Sequence, residues 1–302
     1  MNEFLQQIIN GISLGAIYAL IALGYTLVFG VLRFINFAHS DVFMVGAYIG
    51  YYSIPRITNT FGEGSVTSII VLIITMIACG LLGMLIEYLV YRPLRDRPKL
   101  TVLITAIGVS LFLEYTGQLP QVFGADYKTF PTLIPNTVLF NLGSIPISLQ
   151  QTVVVFVSVG LMYVLRIIVM KTKVGTAMRA VSMNLNAASL MGINTNRIIT
   201  FTFFIGSSLA GAGAILFAST YPKINPLMGV LPGLKAFVAA VVGGIGNIPG
   251  AALGGFLIGI VETLTAGYIS PTFKDAIVFS LLIIILLFKP SGLLGKAASE
   301  KV

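Results

Sequence analysis

Arg92-Pro93-Leu94-Arg95-Asp96-Arg97-Pro98-Lys99 separates an apolar run over 66–91 from a second over 101–118. A helix crosses the hydrocarbon core of a bilayer with about 20 apolar residues, each rising about 1.5 Å. Both runs approach or exceed that length. The basic break between them belongs on the cytoplasmic side, where short loops accumulate Lys and Arg. This stretch alone predicts a chain that traverses a membrane and turns back at its inner surface.

The composition agrees. Of 302 residues, 57% are hydrophobic and 9% charged, and the mean hydropathy is +0.98. Soluble proteins carry about 25% charged residues, so the 18 basic and 10 acidic side chains here cannot solvate a chain of this length. A water-soluble enzyme is excluded. The net charge of +8 does not indicate nucleic acid, because the basic residues fall at the ends of apolar runs and not on one face. Cys79 is the single cysteine and His39 the single histidine. No intrachain disulfide can form, and a zinc site built from about four His and Cys ligands is ruled out. The first residues, Met1-Asn2-Glu3-Phe4, lack a basic n-region, so the first run is read as a permanent span.

Outward from the basic break, apolar runs fall at 5–31, 37–54, 66–91, 101–118, 149–170, 198–219, 230–246, 250–269 and 275–288. They predict an all-α, polytopic helix bundle in a single domain over 1–302, with eight or nine spans. The second, seventh and last runs are short or Gly-rich, which suits broken or tilted helices. A second basic stretch, from Lys171 through Lys173 and Arg179 to Arg197, is also cytoplasmic. The two runs between the basic stretches make a hairpin. The segment 119–150, with Asp126, Lys128 and four prolines, is then external, while Lys289, Lys296 and Lys301 fall inside. Nine crossings put the N-terminus outside and eight put it inside.

Tyr51, Tyr52, Tyr91, Tyr127, Tyr221 and Tyr268 sit near run ends, where amphipathic rings favour the interface. Glu87 and Glu114 also lie near run ends and are expected to snorkel to water. Small residues recur four apart at Gly11/Gly15, Ser207/Gly211, Gly250/Gly254 and Gly255/Gly259, which lets helix backbones approach closely in lipid.

A shift of 189 positions lays the first run on the sixth: Gly24 meets Gly213, Leu27 meets Leu216, and Ile35-Asn36 meets Ile224-Asn225. In the nine-span reading the halves run in opposite senses, as an inverted repeat requires. Transporters built this way place their pathway at the repeat interface. Asn36 and Asn225 are therefore pathway candidates, or else caps where the chain leaves the membrane. Glu262 and Lys235 lie deep in the eighth and seventh runs, joined by a turn at Gly246-Asn247-Ile248-Pro249. They are read as a buried pair, with Lys235 reaching external water as the alternative. His39 completes the pathway candidates; a satisfied or interfacial histidine is its simpler reading.

No G-x-x-x-x-G-K-[ST] loop exists, and no H-E-x-x-H. Ser110 with His39 makes only a weak Ser–His pairing for intramembrane proteolysis. No catalytic and no metal-binding residue is assigned. The most specific feature is the second cytoplasmic loop, where Gly175-Thr176-Ala177-Met178-Arg179-Ala180-Val181 leads into Asn184-Leu185-Asn186-Ala187-Ala188-Ser189-Leu190-Met191-Gly192-Ile193. Asn184 can cap a two-turn helix that Gly192 ends at its C′ position. So short a helix is unstable alone, and a docking partner received on its Ala187–Ala188 face would account for it.

Asn186-Ala187-Ala188-x-x-x-Gly192 resembles the EAA-x-x-x-G coupling motif of ABC-transporter permeases. Gly11-x-x-x-Gly15-x-x-Tyr18-Ala19-Leu20-x-Ala22-Leu23-Gly24, Asn36-Phe37-Ala38-His39, Gly175-Thr176-Ala177-Met178-Arg179-Ala180 and 241–250 are similar to one subgroup. That subgroup is the first permease subunit of bacterial high-affinity branched-chain amino-acid importers, and the likeness covers nearly the whole chain. The resemblance implies a multi-pass protein of the bacterial inner membrane that forms half of a pathway for Leu, Ile or Val. It implies a second permease subunit, two ATP-binding cassette subunits that bind the ATP, an extracytoplasmic solute-binding protein, and no cofactor in this chain. Gly175, Arg179, Asn184, Asn186, Ala187, Ala188 and Gly192 would couple to the ATPases. Asn186 stands where the family usually has Glu, which removes about 0.3–1 kcal/mol of charged interaction at an exposed first turn. Urea and short-amide permeases share the architecture. A self-contained secondary transporter would need ion-coupling acids, which are sparse here.

Overall fold

The computed structural model describes residues 2–95, 97–143 and 145–295; Asp96, Lys296 and Lys301 lie outside them. Each of the nine apolar runs becomes a helix. These are α1 (Asn2–Leu32), α2 (His39–Phe61), α3 (Ser65–Ile86), α4 (Lys99–Gln118), α5 (Leu149–Lys171), α8 (Thr195–Thr220), α9 (Val230–Gly243), α10 (Ile248–Tyr268) and α11 (Lys274–Phe288). Two further helices, α6 (Lys173–Met183) and α7 (Leu185–Leu190), build the second basic loop. Seven helical segments are long and apolar enough to cross a membrane, among them α3 prolonged by a π-turn (Glu87–Tyr91) and a 3-10 turn (Arg92–Leu94). The other two are α9, with 14 residues, and α2, whose first turn carries His39 and Asp41.

Those two helices begin inside the bundle. After α1 ends at Leu32 the chain folds back, so that His39 lies against Ile21 and Gly24, about 12 Å up α1 from its end. α2 then continues past Pro55, further than the apolar run suggested, because a proline removes one helical hydrogen bond without stopping the residues beyond it. The starts of α2 and α9 meet: a Cβ on Gly229 or Gly233 would strike Ser40.

Contacts at the two ends fix the topology. Arg33 reaches Ser182, Arg95 reaches Asn196, and Gly30 faces Gly246, all on the side of the basic loops. At the opposite end Thr263 Oγ1 donates to Gln7 O (3.0 Å) and Gln151 to Asn10 (2.7 Å). There strand β1 (Lys128–Thr129) pairs antiparallel with β4 (Lys223–Ile224), beside the hairpin of β2 (Val138–Leu142) and β3 (Ile145–Ser148). These short strands are the only departure from an all-α reading among the described residues. With seven full crossings the N-terminus lies opposite the basic loops, that is, outside.

Helix pairings exchange across the repeat. α1 packs on α10 as α8 packs on α3, α2 on α3 as α9 on α10, and α2 on α8 as α9 on α1. The shift of 189 also holds locally. His39 N donates to Asn36 O (3.2 Å) and Met228 N to Asn225 O (3.0 Å), so the same turn starts both interior helices. Small residues sit where backbones cross. A Cβ on Gly15 would lie 2.7 Å from Phe256 Cα, and one on Gly211 would lie 2.9 Å from Cys79 Sγ. In a solvent as apolar as the side chains, such close approach is what holds helices together.

Candidate functional site

The second basic loop is built as a rigid corner. α5 ends at Lys171, and Thr172 caps α6 by accepting from Gly175 N (3.0 Å). A Cβ on Gly175 would overlap the carbonyls of Ile168 and Val169, so only glycine lets α6 fold back on α5. Arg179 locks the same corner by donating to Val169 O. Thus Gly175 and Arg179 shape the loop from within the chain.

Asn184 N-caps α7, its side chain accepting from Ala187 N (3.0 Å). Gly192 closes the helix with φ +82°, a conformation that costs an L-residue about 1–2 kcal/mol. Ala188 is buried against its own chain, whereas Asn186 and Ala187 are exposed. The Ala187–Ala188 face is therefore only half open. The open surface carries Met183 (82% exposed), Leu190 (86%) and Met191 (83%), apolar side chains on the polar side of the bundle.

The pathway candidates divide into two groups. Asn36 is buried and accepts from Tyr91 Oη (2.6 Å). His39 is buried with its Nε2 3.3 Å from Ile21 O and its ring edge-on to Tyr25. Ser110 donates to Asp41 Oδ2 (2.5 Å) and not to His39, so no Ser–His pair forms. Asn225 is half-buried in its turn. No hydrogen bond joins these three side chains to one another.

Lys235 and Glu262 do meet, 2.7 Å apart, with little of either side chain exposed; Lys235 does not reach external water. Asp275 approaches Lys235 to 2.6 Å, Lys274 approaches Glu262 to 3.5 Å, and Tyr18 Oη donates to Glu262 Oε2 (2.9 Å). Four elements, α1, α9, α10 and α11, are tied at this point. A single buried charge would cost several kcal/mol; here each is paired and hydrogen-bonded.

Glu87 departs from its expected place. It is fully buried, bound by Arg95 and by Thr200 Oγ1 (2.6 Å), and does not snorkel, because the π- and 3-10 turns after α3 swing Arg95 back over it. Tyr91 likewise lies in the core and not in an interfacial belt. Each half of the repeat thus holds one buried, cation-bound glutamate near the end of its third helix. Asp41, which nothing in the apolar pattern marks, sits buried in the first turn of α2 and is linked to Ser110 and Glu114.

Seven helices long and apolar enough to cross a membrane, two more that begin inside the bundle, and helix pairings that exchange between two halves are the architecture of a transport protein's membrane subunit. Residues 7–286 match the family described as "Branched-chain amino acid transport system / permease component", and the chain belongs to that family. It is 41% identical to the high-affinity branched-chain amino acid transport system permease protein BraD of Pseudomonas aeruginosa, over 99% of this chain and 98% of that one. It is 40% identical to the corresponding permease protein LivH of Escherichia coli, with the same coverage. No solved structure matches. The chain is accordingly a multi-pass inner-membrane permease component of a multi-subunit transport system.

Proposed function

We propose that this chain forms half of the translocation pathway of an ATP-driven importer of branched-chain amino acids, with no catalytic group of its own. Its partner permease supplies the other half, an extracytoplasmic binding protein delivers the solute, and two ATP-binding cassette subunits bind and hydrolyse the ATP. The observation that carries this reading is the capped α7 with Met183, Leu190 and Met191 bare beside it, supported by the permease names of the relatives.

Closure of the ATPase pair would push α7. Because Thr172, Gly175 and Arg179 make the α5–α6 corner stiff, the push passes into α5 and the bundle as a rigid-body movement. The head-to-head starts of α2 and α9 lie at the centre of the repeat, where such movement changes the opening most. Leu, Ile and Val carry a zwitterionic head and an apolar side chain, which an apolar path with a few Asn, Ser and backbone groups can pass. The binding protein supplies selectivity, so the permease needs no tight pocket.

The test is uptake by the complete complex in vesicles, with a panel of amino acids, urea and short amides. ATP-dependent uptake of Leu, Ile and Val above the others is expected. Transport by this chain alone, without nucleotide, would overturn the reading.

A further inference from the structure

At the cytoplasmic end lies a cavity of about 720 Å³ between the end of α1, the turn after α3, the α6–α7 junction and the start of α8. Its described walls carry Arg33, Arg92, Arg95, Arg97 and Lys99 and no carboxylate. Counting Glu87 behind Arg95, and Asp96 beyond the described residues, still leaves a surplus of three positive charges. Arg33 has φ +55°, the only described non-glycine residue with positive φ, and it lines this cavity while holding Ser182 O at 3.3 Å. Backbone strain of this kind persists where something else gains from it.

An apolar groove starts one helical turn deeper. Tyr91 and Val102 line the cavity, and Val90 and Thr105 line the groove, which runs between α3 and α4 past Leu85 and Leu89 to Gly108 and Phe112. Its volume is about 360 Å³. These two helices, consecutive in sequence, scarcely pack on each other. A Cβ on Gly108 would meet nothing within 4 Å.

A cluster of cations at the inner membrane boundary, beside an apolar slot at membrane depth lined by neighbouring residues of the same helices, has the shape and charge of one ligand class. We propose that the cavity binds the phosphate headgroup of an anionic phospholipid whose acyl chain lies in the α3–α4 groove. The bound lipid then bridges Arg33, just past the end of α1, to the turn before α4 and to the α6–α7 junction. Basic pockets on the cytoplasmic side of helix bundles attract such headgroups, with each Lys or Arg contributing to affinity. The acyl slot distinguishes a lipid from free phosphate, which needs only the cations.

The experiment is native mass spectrometry of the full-length protein in micelles containing phosphatidylglycerol or phosphatidylcholine with the same acyl chains. Wild type is expected to retain phosphatidylglycerol about tenfold over phosphatidylcholine. The combined Arg33→Gln, Arg97→Gln and Lys99→Gln variant should lose that preference. An outer-face control, Arg56→Gln with Lys128→Gln and Lys223→Gln, should keep it. Gly108→Phe, which fills open space, should lower phosphatidylglycerol retention while the protein stays folded. Equal retention of the two lipids by wild type overturns the proposal, as does wild-type behaviour in both test variants. Inorganic phosphate that stabilises wild type and Gly108→Phe alike would assign the cavity to a free anion and overturn the lipid. A cross-link from Gly108→Cys to another protein chain of the complex would put protein in the groove and overturn it too.

Discussion

Lys235 Nζ sits 2.7 Å from Glu262 Oε1 and 2.6 Å from Asp275 Oδ1, one ammonium between carboxylates from two neighbouring helices. Removing one member of a buried pair strands its partner, at a cost of about 3–5 kcal/mol. Lys235→Ala and Glu262→Ala should each lower thermal stability strongly, and the variant carrying both should lose less than their sum by at least about 1 kcal/mol. Strictly additive losses in a double-mutant cycle on the purified protein would mean the pair does not form.

Gly24 packs where α1 meets both α2 and α8. A Cβ there would overlap the His39 ring and lie 2.8 Å from Gly206 O. Gly24→Ala is expected to destabilise by about 1–3 kcal/mol through overpacking, and His39→Ala in the same chain should relieve part of that. Gly108→Ala, in open space, should stay within about 0.5 kcal/mol of wild type. Equal tolerance at Gly24 and Gly108 in thermal unfolding would contradict the crossing.

Tyr91 Oη donates to Asn36 Oδ1 at 2.6 Å in the core. Tyr91→Phe leaves that oxygen unpaired and should cost about 1–3 kcal/mol. If Asn36 instead serves solute directly, Tyr91→Phe would change uptake selectivity while leaving stability untouched.

Ala188 and Leu190 separate structure from docking. Ala188 is 4% exposed and Leu190 is 86% exposed. Ala188→Trp should therefore destabilise the loop itself, seen as faster amide exchange across 184–193. Leu190→Ser should leave exchange unchanged and reduce only ATP-coupled uptake. The reverse pattern would show that the buried and exposed faces have been assigned the wrong way round.

Much of this was legible in the sequence because lipid simplifies the reading. Apolar length alone located nine helices, with ends displaced by at most a few residues except where α2 outruns Pro55. Small residues four apart marked real crossings, and the turn at Gly246–Pro249 was short enough to bring Lys235 and Glu262 together. Asn184 and Gly192 were legible because a cap and a positive φ have local signatures. What escaped required tertiary knowledge. Glu87 looked free to snorkel because its partner Arg95 returns only through a π-turn, which has no period to detect. Asp41 went unmarked because nothing nearby in sequence names Ser110 or Glu114. The burial of Ala188 depends on tertiary packing that six residues of α7 cannot reveal.

The most direct test of the coupling role is uptake of leucine by the complete reconstituted complex carrying Leu190→Glu and Met191→Glu, with ATPase association measured alongside. The loop should fold as before, while ATPase binding and ATP-dependent uptake both fall to background. Uptake at the wild-type rate, with the ATPases still bound, would show that this surface is not where the energy of ATP enters the membrane subunit.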